Sequence, residues 1–387
     1  MKSKFGVAII GVGAIAKAHI LAYEQFPEEC SVLALCDIYP DKARALADEM
    51  DLKADIYNDY AELLKRQDID IVSICLPPNL HAEVSIAAME AKKHVLVEKP
   101  MAPSLAECDA MIAASEKNRV ILSPIAQNRF RTPMMRLKTL LDDGIGGKVL
   151  HATVNSLWWR GQNYYDLWWR GTWEKECGGC TTSHAVHQLD LLQWMVGMPQ
   201  EVTAVMRNVG HDNSECEDLA IGVLAYPEML AQVTASIVAH DEGQQIIFQT
   251  EQARLSSPWK VAASKPLENG FPVDDESMAL SVDAAYESLP SVTYERHAGQ
   301  IHNVFSAIRG EEPLLIDGVQ GRNTIELIMA IYKASVEKRT VALPIDKNDP
   351  LYTREGLVSS MPRFHEKKRS VENFATTDIT LGKDADS

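Results

Sequence analysis

Short, unbroken apolar runs alternate with longer stretches of mixed polarity over the first 125 residues. A strand buried on both faces of a parallel sheet has such an unbroken apolar pattern. Five runs fit it, at residues 5–10, 32–36, 69–76, 94–97 and 120–124. The stretches between them predict helices at residues 14–25, 40–50, 81–92 and 105–117. Strands and helices alternating at this spacing predict a doubly wound parallel α/β sheet.

The pattern changes after residue 124. A predicted helix at 133–141 leads to a strand at 148–157, and a second helix at 183–196 ends at Gly197. Four strand-like runs follow without helices between them, at 202–208, 219–226, 231–238 and 245–250, so we expect neighbouring antiparallel strands. Helices return at 299–309 and 319–338, the latter with Asp317 as N-cap. We expect domains at 1–125 and 126–345, then a polar arm or tail at 346–387.

Composition narrows the possible partners. The chain has 38 Lys+Arg against 54 Asp+Glu, a formal net charge of −16, which disfavours binding to nucleic acid. No apolar run reaches the ~20 residues that span a bilayer, so no membrane partner is expected. Seven cysteines are an odd number for a disulfide framework. We therefore expect reduced thiols in a cytoplasmic protein.

A glycine-rich string follows the first predicted strand and opens the first predicted helix. Its G-x-G-x-x-A pattern combines a tight turn, a close backbone approach to a pyrophosphate and a small residue where helix and strand pack. The free N–H groups at the helix start would face the anion. The alternative is a strand–helix turn without a ligand. The string is Gly11, Val12, Gly13, Ala14, Ile15 and Ala16.

Asp37 ends the second predicted strand, at the spacing expected for the acidic residue that binds the adenosine ribose. A carboxylate there accepts hydrogen bonds from both ribose hydroxyls and repels a 2′-phosphate. NAD is therefore favoured over NADP. The alternative is that Asp37 caps the helix after Pro40.

Lys99 emerges at the end of a buried strand, in the string Val97-Glu98-Lys99-Pro100. Ligands of doubly wound sheets bind at this carboxyl edge. The Lys99 ammonium would hold a substrate hydroxyl and stabilise developing alkoxide charge. The alternative is a solvated surface lysine.

Cys177 and Cys180 precede a helix that carries His184, His187 and Asp190. These are metal-ligand residue types, but zinc sites place a longer loop between such pairs, so no metal is expected. The other interpretation is a glycine turn leading to a helix that presents His187 to a cleft, where histidine can take an alcohol proton. A purely structural His187 is the third alternative.

Five of the seven tryptophans fall between residues 158 and 173, with Tyr164 and Tyr165 among them. Aromatic faces suit the C–H faces of sugars, and Arg160 and Arg170 would bind hydroxyl groups. A loop folded on itself, or a subunit contact, would have the same composition.

Together, in this order, these strings resemble the Gfo/Idh/MocA family of sugar and inositol oxidoreductases. The resemblance runs from about residue 5 to 345 and includes residues 76–81, 98–100, 178–190 and 321–332. Residues 169–174 are similar to the branch acting on pyranose sugars, including levoglucosan dehydrogenase-like members. Two departures stand out, because Ser183 replaces the aspartate that members commonly carry there and Cys177 replaces the first glycine of a glycine run.

The resemblance implies an NAD-binding Rossmann domain followed by an α/β domain with a large, mostly antiparallel open sheet that serves substrate binding and oligomerisation. It implies Lys99 and His187 at the reacting carbon. Besides the glycine string and Asp37, the expected cofactor contacts are Leu76, Pro77, Asn79, His81, Glu98 and Lys99. The expected substrate contacts are Lys99, Tyr165, Arg170, Trp173, Ser183, His184, His187 and Asp190.

The resulting hypothesis is an NAD-dependent dehydrogenase that acts on a secondary hydroxyl of a pyranose or cyclic polyol, in a homodimer or homotetramer. Either His187 itself, or Lys99 through it, would take the hydroxyl proton. One alternative is a glycosidase that oxidises, eliminates and re-reduces. Another is a sensor that binds NAD and sugar without turnover.

Overall fold

A computed structural model describes residues 4–374. The first domain is built on a six-stranded sheet whose strands are all parallel, in the order β3-β2-β1-β4-β5-β6. The strands are β1 Phe5–Ile10, β2 Cys30–Cys36, β3 Asp55–Tyr57, β4 Ile71–Ile74, β5 His94–Val97 and β6 Leu122–Pro124. The helices are α1 Ala16–Tyr23, α2 Pro40–Glu49, α3 Tyr60–Leu63, α4 His81–Glu90 and α5 Leu105–Asn118. The predicted doubly wound sheet is confirmed. The sequence did not predict β3, a three-residue edge strand without an apolar run.

The second domain is built on a nine-stranded sheet in the order β14-β13-β12-β11-β7-β10-β9-β8-β15. Its strands are β7 Val149–Leu157, β8 Glu201–Arg207, β9 Leu219–Ala225, β10 Leu230–Ser236, β11 Gln244–Thr250, β12 Ala253–Ser257, β13 Lys260–Pro266, β14 Pro272–Asp274 and β15 Val341–Ala342. The remaining helices are α6 Thr132–Asp142, α7 Cys180–Ser183, α8 Val186–Val196, α9 Glu276–Ser288, α10 Arg296–Arg309, α11 Gly318–Glu337 and α12 Arg354–Ser360. The predicted large, mostly antiparallel sheet is confirmed.

One strand pairing differs from the expectation of four consecutive antiparallel neighbours. Strand β7 lies between β10 and β11, parallel to β10 and antiparallel to β11. The order of the strands along the chain does not fix their order in the sheet, because an earlier strand can insert between two later ones. The centre of the sheet is therefore a strand whose C-terminal end leads directly into residues 158–179, called the aromatic loop below.

The predicted helix at 183–196 is two helices. The Ala185 N–H bonds the Cys180 carbonyl at 2.9 Å, a wider turn than the α-helical one, and the chain bends between α7 and α8. Gly197 ends α8 with φ +80°, as predicted. The bend places His184 between the two helices.

Helix α10 packs on the first sheet although it follows the strands of the second domain in sequence. The Phe305 ring stacks on Phe5 with centroids 5.2 Å apart and meets Phe26 edge-on at 5.7 Å. Helix α11 packs on both α5 and α8. The two domains therefore share a packed boundary, and the candidate site lies along it.

The described part of the C-terminal segment is a docked arm. Val371 exchanges backbone hydrogen bonds with the aromatic loop, donating to the Asp166 carbonyl at 2.7 Å and accepting from the Trp168 N–H at 2.9 Å. Two residues further, the Asn373 side chain accepts a hydrogen bond from Lys42 of α2 at 2.9 Å. The rest of the predicted tail, residues 375–387, lies outside the described residues.

Two sequence expectations concern the chain as a whole. All seven cysteines lie within residues 4–374 as free, buried thiols. Among those same residues, the structure contains no helix of the length and apolar character needed to span a bilayer.

A buried ion pair fixes α8 against its surroundings. Asp190 accepts hydrogen bonds from Nε and Nη2 of Arg129 at 2.8 and 2.7 Å, and the Thr324 hydroxyl donates to the same carboxylate at 3.1 Å. Asp190 was expected to contact substrate. Its carboxylate pairs with Arg129, because a fully buried guanidinium needs a compensating charge, and Asp190 also lines the cavity that contains Lys99 and His187.

Replacing Asp190 with Ala should lower the free energy of unfolding by about 3–5 kcal/mol, because it leaves the Arg129 charge buried and unpaired. Denaturant unfolding followed by circular dichroism measures this change. The exposed Glu90→Ala on α4 is the control and should change stability by no more than about 0.5 kcal/mol. An equal, small effect of both substitutions would contradict the assigned role of the ion pair.

Candidate active site

Lys99 and His187 line the same cavity, at the boundary between the two domains. Lys99 follows β5 at the carboxyl edge of the first sheet, and His187 lies in the first turn of α8. Met101 and Pro124 from the first domain and Thr324 from α11 complete part of the wall. The structure thus brings together the two residues that the sequence placed at the reacting carbon.

The glycine string has the geometry of a phosphate-binding turn. Gly11 has φ +91°, and a Cβ at this position would lie 2.5 Å from the Cys75 carbonyl oxygen, so only glycine fits. At Gly13 a Cβ would have no atom within 4 Å. Open space therefore faces the turn just before α1 begins at Ala16, where a pyrophosphate would meet free N–H groups. The residues present fit a bound dinucleotide.

Asp37 braces the turn from the end of β2. Its Oδ2 accepts the Val12 N–H at 3.0 Å and its Oδ1 accepts the Tyr39 N–H at 2.9 Å. Helix α2 has Tyr39 at its N-cap position and no side-chain cap. The helix-cap alternative for Asp37 therefore fails, and its carboxylate lies beside the glycine string as the ribose assignment requires.

His81 does not face the cleft. It is completely buried, with Nδ1 2.7 Å from the Pro100 carbonyl and Nε2 2.8 Å from the Leu76 carbonyl. It connects the loop after β4 to the loop after β5 and so acts one layer behind the expected cofactor contacts. Leu76 and Pro77 remain half-buried at the strand end, and Asn79 Oδ1 is a buried acceptor without a hydrogen bond.

Glu98 belongs to a buried cluster that the sequence did not predict. His19 Nε2 lies 3.0 Å and His297 Nε2 3.6 Å from Glu98 Oε1, while Oε2 accepts the Lys99 N–H at 3.1 Å. Burial alone would raise the Glu98 pKa, but the two histidines hold it well below its usual value. His19 and His297 come from α1 and α10, so only the tertiary fold reveals them. Glu98 thereby fixes the backbone next to Lys99.

The Lys99 amine is held by a carbonyl of the second domain. Its Nζ donates to the Ser183 carbonyl at 3.1 Å, and the Lys99–Pro100 peptide bond is cis. Burial lowers the Lys99 pKa from its usual value. Burial, followed by the positive charge of Lys99, lowers the His187 pKa to about 3. The imidazole is therefore neutral at physiological pH and the amine is closer to neutral than an exposed lysine.

Ser183 and Arg170 meet a carboxylate that the sequence did not single out. Glu176 accepts hydrogen bonds from Ser183 Oγ at 2.7 Å and Arg170 Nη1 at 3.0 Å. The Arg170 guanidinium lies over the rings of Tyr164 and Trp169, with centroids 4.1 and 4.3 Å away. No sequence pattern distinguishes Glu176 from the exposed acidic residue Glu174 in the same loop.

His184 is buried between two aromatic rings. The Trp158 and Tyr164 centroids lie 5.5 and 5.7 Å from that of His184, and His184 Nδ1 has no hydrogen-bond partner. Burial, with the charges of Arg160 and Lys99, holds the His184 pKa well below its usual value. A neutral imidazole therefore adjoins the Lys99 cavity.

Two expected substrate contacts are core residues of the aromatic loop. Tyr165 is buried, with its ring against His211 at 5.1 Å. Trp173 is also buried, and its Nε1 donates to the Pro362 carbonyl at 2.9 Å. Both substrate contacts stay predictions. The loop folds onto the second domain, and the neighbouring Tyr164 contacts His184 and Arg170. Part of the loop thus matches the alternative of a loop folded on itself.

The thiols of Cys177 and Cys180 do not form a metal site. Cys180 Sγ lies 3.5 Å from the Ala235 carbonyl, whereas Cys177 Sγ faces the carbonyls of Glu174 and Lys175 at 3.8 and 3.7 Å. Within residues 4–374, the grouping of three side chains that could hold an ion is His19, Glu98 and His297, not the cysteine–histidine string.

Comparisons with known proteins agree with this arrangement. Residues 5–125 match the family model "Oxidoreductase family, NAD-binding Rossmann fold", and residues 138–343 match "Oxidoreductase family, C-terminal alpha/beta domain". The chain is 29% identical over 189 residues to an inositol 2-dehydrogenase of Salmonella paratyphi B, covering 49% of this chain and 53% of that relative. The chain thus spans about half the length of this curated relative.

Solved structures show the same architecture. The WlbA dehydrogenase from Chromobacterium violaceum, in complex with NADH and UDP-GlcNAcA, is 28% identical with a TM-score of 0.78 and covers 89% of this chain and 98% of its own. Levoglucosan dehydrogenase, in complex with NADH and levoglucosan, is 21% identical with a TM-score of 0.74, covering 89% and 100%, and supports the fold alone. The prediction of NAD as the cofactor is confirmed at the level of the family. Because both family models together match most of its length, the chain belongs to the Gfo/Idh/MocA oxidoreductase family.

Proposed function

We propose that this protein is an NAD-dependent dehydrogenase that oxidises a secondary hydroxyl of a pyranose sugar or cyclic polyol, or reduces the corresponding ketone. The observation that carries the proposal is the placement of Lys99 and His187 on one cavity, at the sheet edge where the glycine string lies. An inositol 2-dehydrogenase among the relatives, and a neighbour solved with NADH and a nucleotide sugar, support the substrate class.

The chemistry divides between the cofactor and the chain. Bound NAD supplies the hydride acceptor, so that the carbon loses hydride as the hydroxyl loses a proton and a carbonyl forms. Gly11, Gly13 and Asp37 would hold and orient the dinucleotide. Lys99 and His187 then handle the proton, and the cavity between the domains aligns the reacting carbon.

The pKa shifts favour one of the two proton routes. A neutral His187 accepts a hydrogen bond from the hydroxyl, but an imidazole with a pKa of about 3 is too weak a base to keep the proton near neutral pH. Lys99, whose pKa is lowered by burial, is the stronger base beside it. We therefore assign the proton to Lys99 through His187, and oxidation should accelerate as pH rises through the Lys99 pKa.

A panel of pyranoses and inositols with NAD, followed at the nicotinamide absorbance, tests the function and Lys99 together. Net NADH formation is expected with at least one member of the panel. Lys99→Met should lower turnover by about 100-fold or more while NAD affinity barely changes, because the proton acceptor is lost and the glycine string is retained. The exposed Lys92→Met is the matched control and should retain full turnover.

Other outcomes of the panel identify the alternatives. Cleavage of an aryl glycoside without net NADH would replace the dehydrogenase with an oxidising and eliminating glycosidase. Tight NAD binding without turnover on any member would indicate a sensor. Unchanged turnover in Lys99→Met would remove Lys99 from the mechanism.

Replacing Asp37 with Ala should erode the preference for NAD. Without the carboxylate, a 2′-phosphate no longer meets a negative charge, and the ratio of kcat/KM for NADP to that for NAD should rise by about tenfold, or about 1.4 kcal/mol. The exposed Asp41→Ala, four residues away, is the control for a general change in local charge. An unaltered ratio in Asp37→Ala would refute the ribose assignment.

We further propose that copies of the chain pair through the outer face of the nine-stranded sheet. Strands β8, β9 and β10 turn large apolar side chains outward, where Val205, Ile221 and Leu230 are 57%, 53% and 53% exposed. Val205 and Ile221 are direct cross-strand neighbours, so the exposed apolar surface is continuous.

Light scattering after size exclusion should give a multiple of the 42.9 kDa chain mass. Val205→Glu should shift the protein toward the single-chain mass, because a charge would be buried at the contact. Leu280→Glu, at an exposed position on α9, should leave the mass unchanged. A single-chain mass for the unaltered protein would contradict the pairing.

A further inference from the structure

Glu176 is a buried carboxylate in the loop that precedes α7. Its side chain is only 1% exposed. One oxygen accepts hydrogen bonds from Ser183 Oγ at 2.7 Å and Arg170 Nη1 at 3.0 Å, and the other accepts the Gly171 N–H at 2.6 Å. A charge removed from water needs such donors, and these three fix the orientation of the carboxylate.

Ser183 connects this carboxylate to the active-site amine. Its hydroxyl donates to Glu176, and its carbonyl accepts the hydrogen bond from Lys99 Nζ at 3.1 Å. Ser183 is the last residue of α7, a helix of four residues that cannot hold its own orientation. Glu217 and Tyr332 hold the earlier residues Thr181 and Thr182 of this helix. At Ser183 itself, the Glu176 hydrogen bond is the side-chain contact that positions the carbonyl holding the amine.

Charged and titratable groups face Lys99 from several elements. The carboxylates of Glu98 and Glu176 favour the ammonium form, whereas the guanidiniums of Arg160 and Arg170 disfavour it. Glu98 is engaged by His19, and Arg160 is paired with Glu242 at 2.5 Å. The groups facing the amine are Glu98 beside it, Arg160, Arg170 and Glu176 from the aromatic loop, and His184 and His187 from the α7–α8 region.

We propose that Glu176 is a positioning residue for Lys99: through Ser183 it orients the amine, and its negative charge stabilises the ammonium form. Arg170 has the opposite effect on the amine: it pairs with Glu176 and places a positive charge nearby, which disfavours the ammonium form. The two parts of the role, orientation and charge, are separable. The orientation part rests on the proposed function, whereas the charge part is measurable without any turnover.

The charge part is tested by labelling Lys99 with acetic anhydride at a series of pH values and quantifying the product by mass spectrometry. Only the neutral amine reacts, so the midpoint of labelling follows the Lys99 pKa. In Glu176→Gln the midpoint should move to lower pH by about one unit, because an opposite charge has been removed. The rising limb of the pH profile for sugar oxidation should move by the same amount in the same direction.

The orientation part is tested by Ser183→Ala, which keeps the Glu176 charge and removes the hydrogen bond. Its labelling midpoint should stay unchanged while kcat falls about tenfold or more, with a smaller change in KM. Glu176→Asp should behave in the same way, since the charge remains but the shorter side chain does not reach Ser183. Glu174→Gln, exposed in the same loop, is the control and should match the unaltered protein in both measurements.

Each outcome decides the proposal. An unmoved midpoint and pH limb in Glu176→Gln, with lower thermal stability only, would mean a purely structural role and would overturn the proposal. Full turnover in Ser183→Ala would overturn the orientation part, which this variant and Glu176→Asp test even if Glu176→Gln does not fold. A shifted midpoint in a protein that oxidises no sugar would support the charge part while the proposed function fails.

Discussion

The candidate site depends on one constraint, which is the burial of the Lys99 amine away from water. Lys99 lies at the end of a buried strand, where an ammonium group loses hydration and its pKa falls. Three groups compensate for the lost hydration. They are the Ser183 carbonyl of α7, the carboxylate of Glu98 next to the lysine, and the carboxylate of Glu176 in the aromatic loop. These groups come from different elements, and the Ser183 carbonyl joins the amine to the second domain. The neutral His187 is part of the same arrangement, since Lys99 helps to keep its proton off.

Sequence patterns predicted the features whose physical cause is local. The unbroken apolar runs predicted the parallel strands, and the glycine string predicted the phosphate-binding turn. Gly197 and Asp317 predicted helix ends that the structure has at those residues. The position of β7 between β10 and β11 depends on pairing between distant segments. None of the three strands carries a local signal for that pairing. The same limit explains the aromatic loop, where only the fold shows that the Tyr164 ring contacts His184 whereas the Tyr165 ring contacts His211.

Residue type alone also did not predict the ion-pair partner of Asp190. An acidic residue three positions after a candidate catalytic histidine looks like its partner, yet a buried arginine from another element claimed the carboxylate. The partners of His81 were also not predicted, since both of its ring nitrogens face backbone carbonyls from two loops. Sequence reasoning also missed Glu176, which belongs to no motif but is buried between Arg170 and Ser183 and accepts a hydrogen bond from each. The departure noted at position 183 therefore removes a carboxylate from α7 but leaves one within a hydrogen bond of the same residue.

The docked C-terminal arm bears on how the cleft opens. Val371 is fixed to the aromatic loop by two backbone hydrogen bonds, and Asn373 is fixed to α2 of the other domain. Two residues of fully extended chain reach about 7 Å, which leaves little slack between these anchors. Any movement of α2 away from the second domain would therefore have to break the Asn373–Lys42 hydrogen bond. Lys42 follows Asp37 by five residues, so the arm ties the aromatic loop to the segment just after the predicted ribose-binding residue.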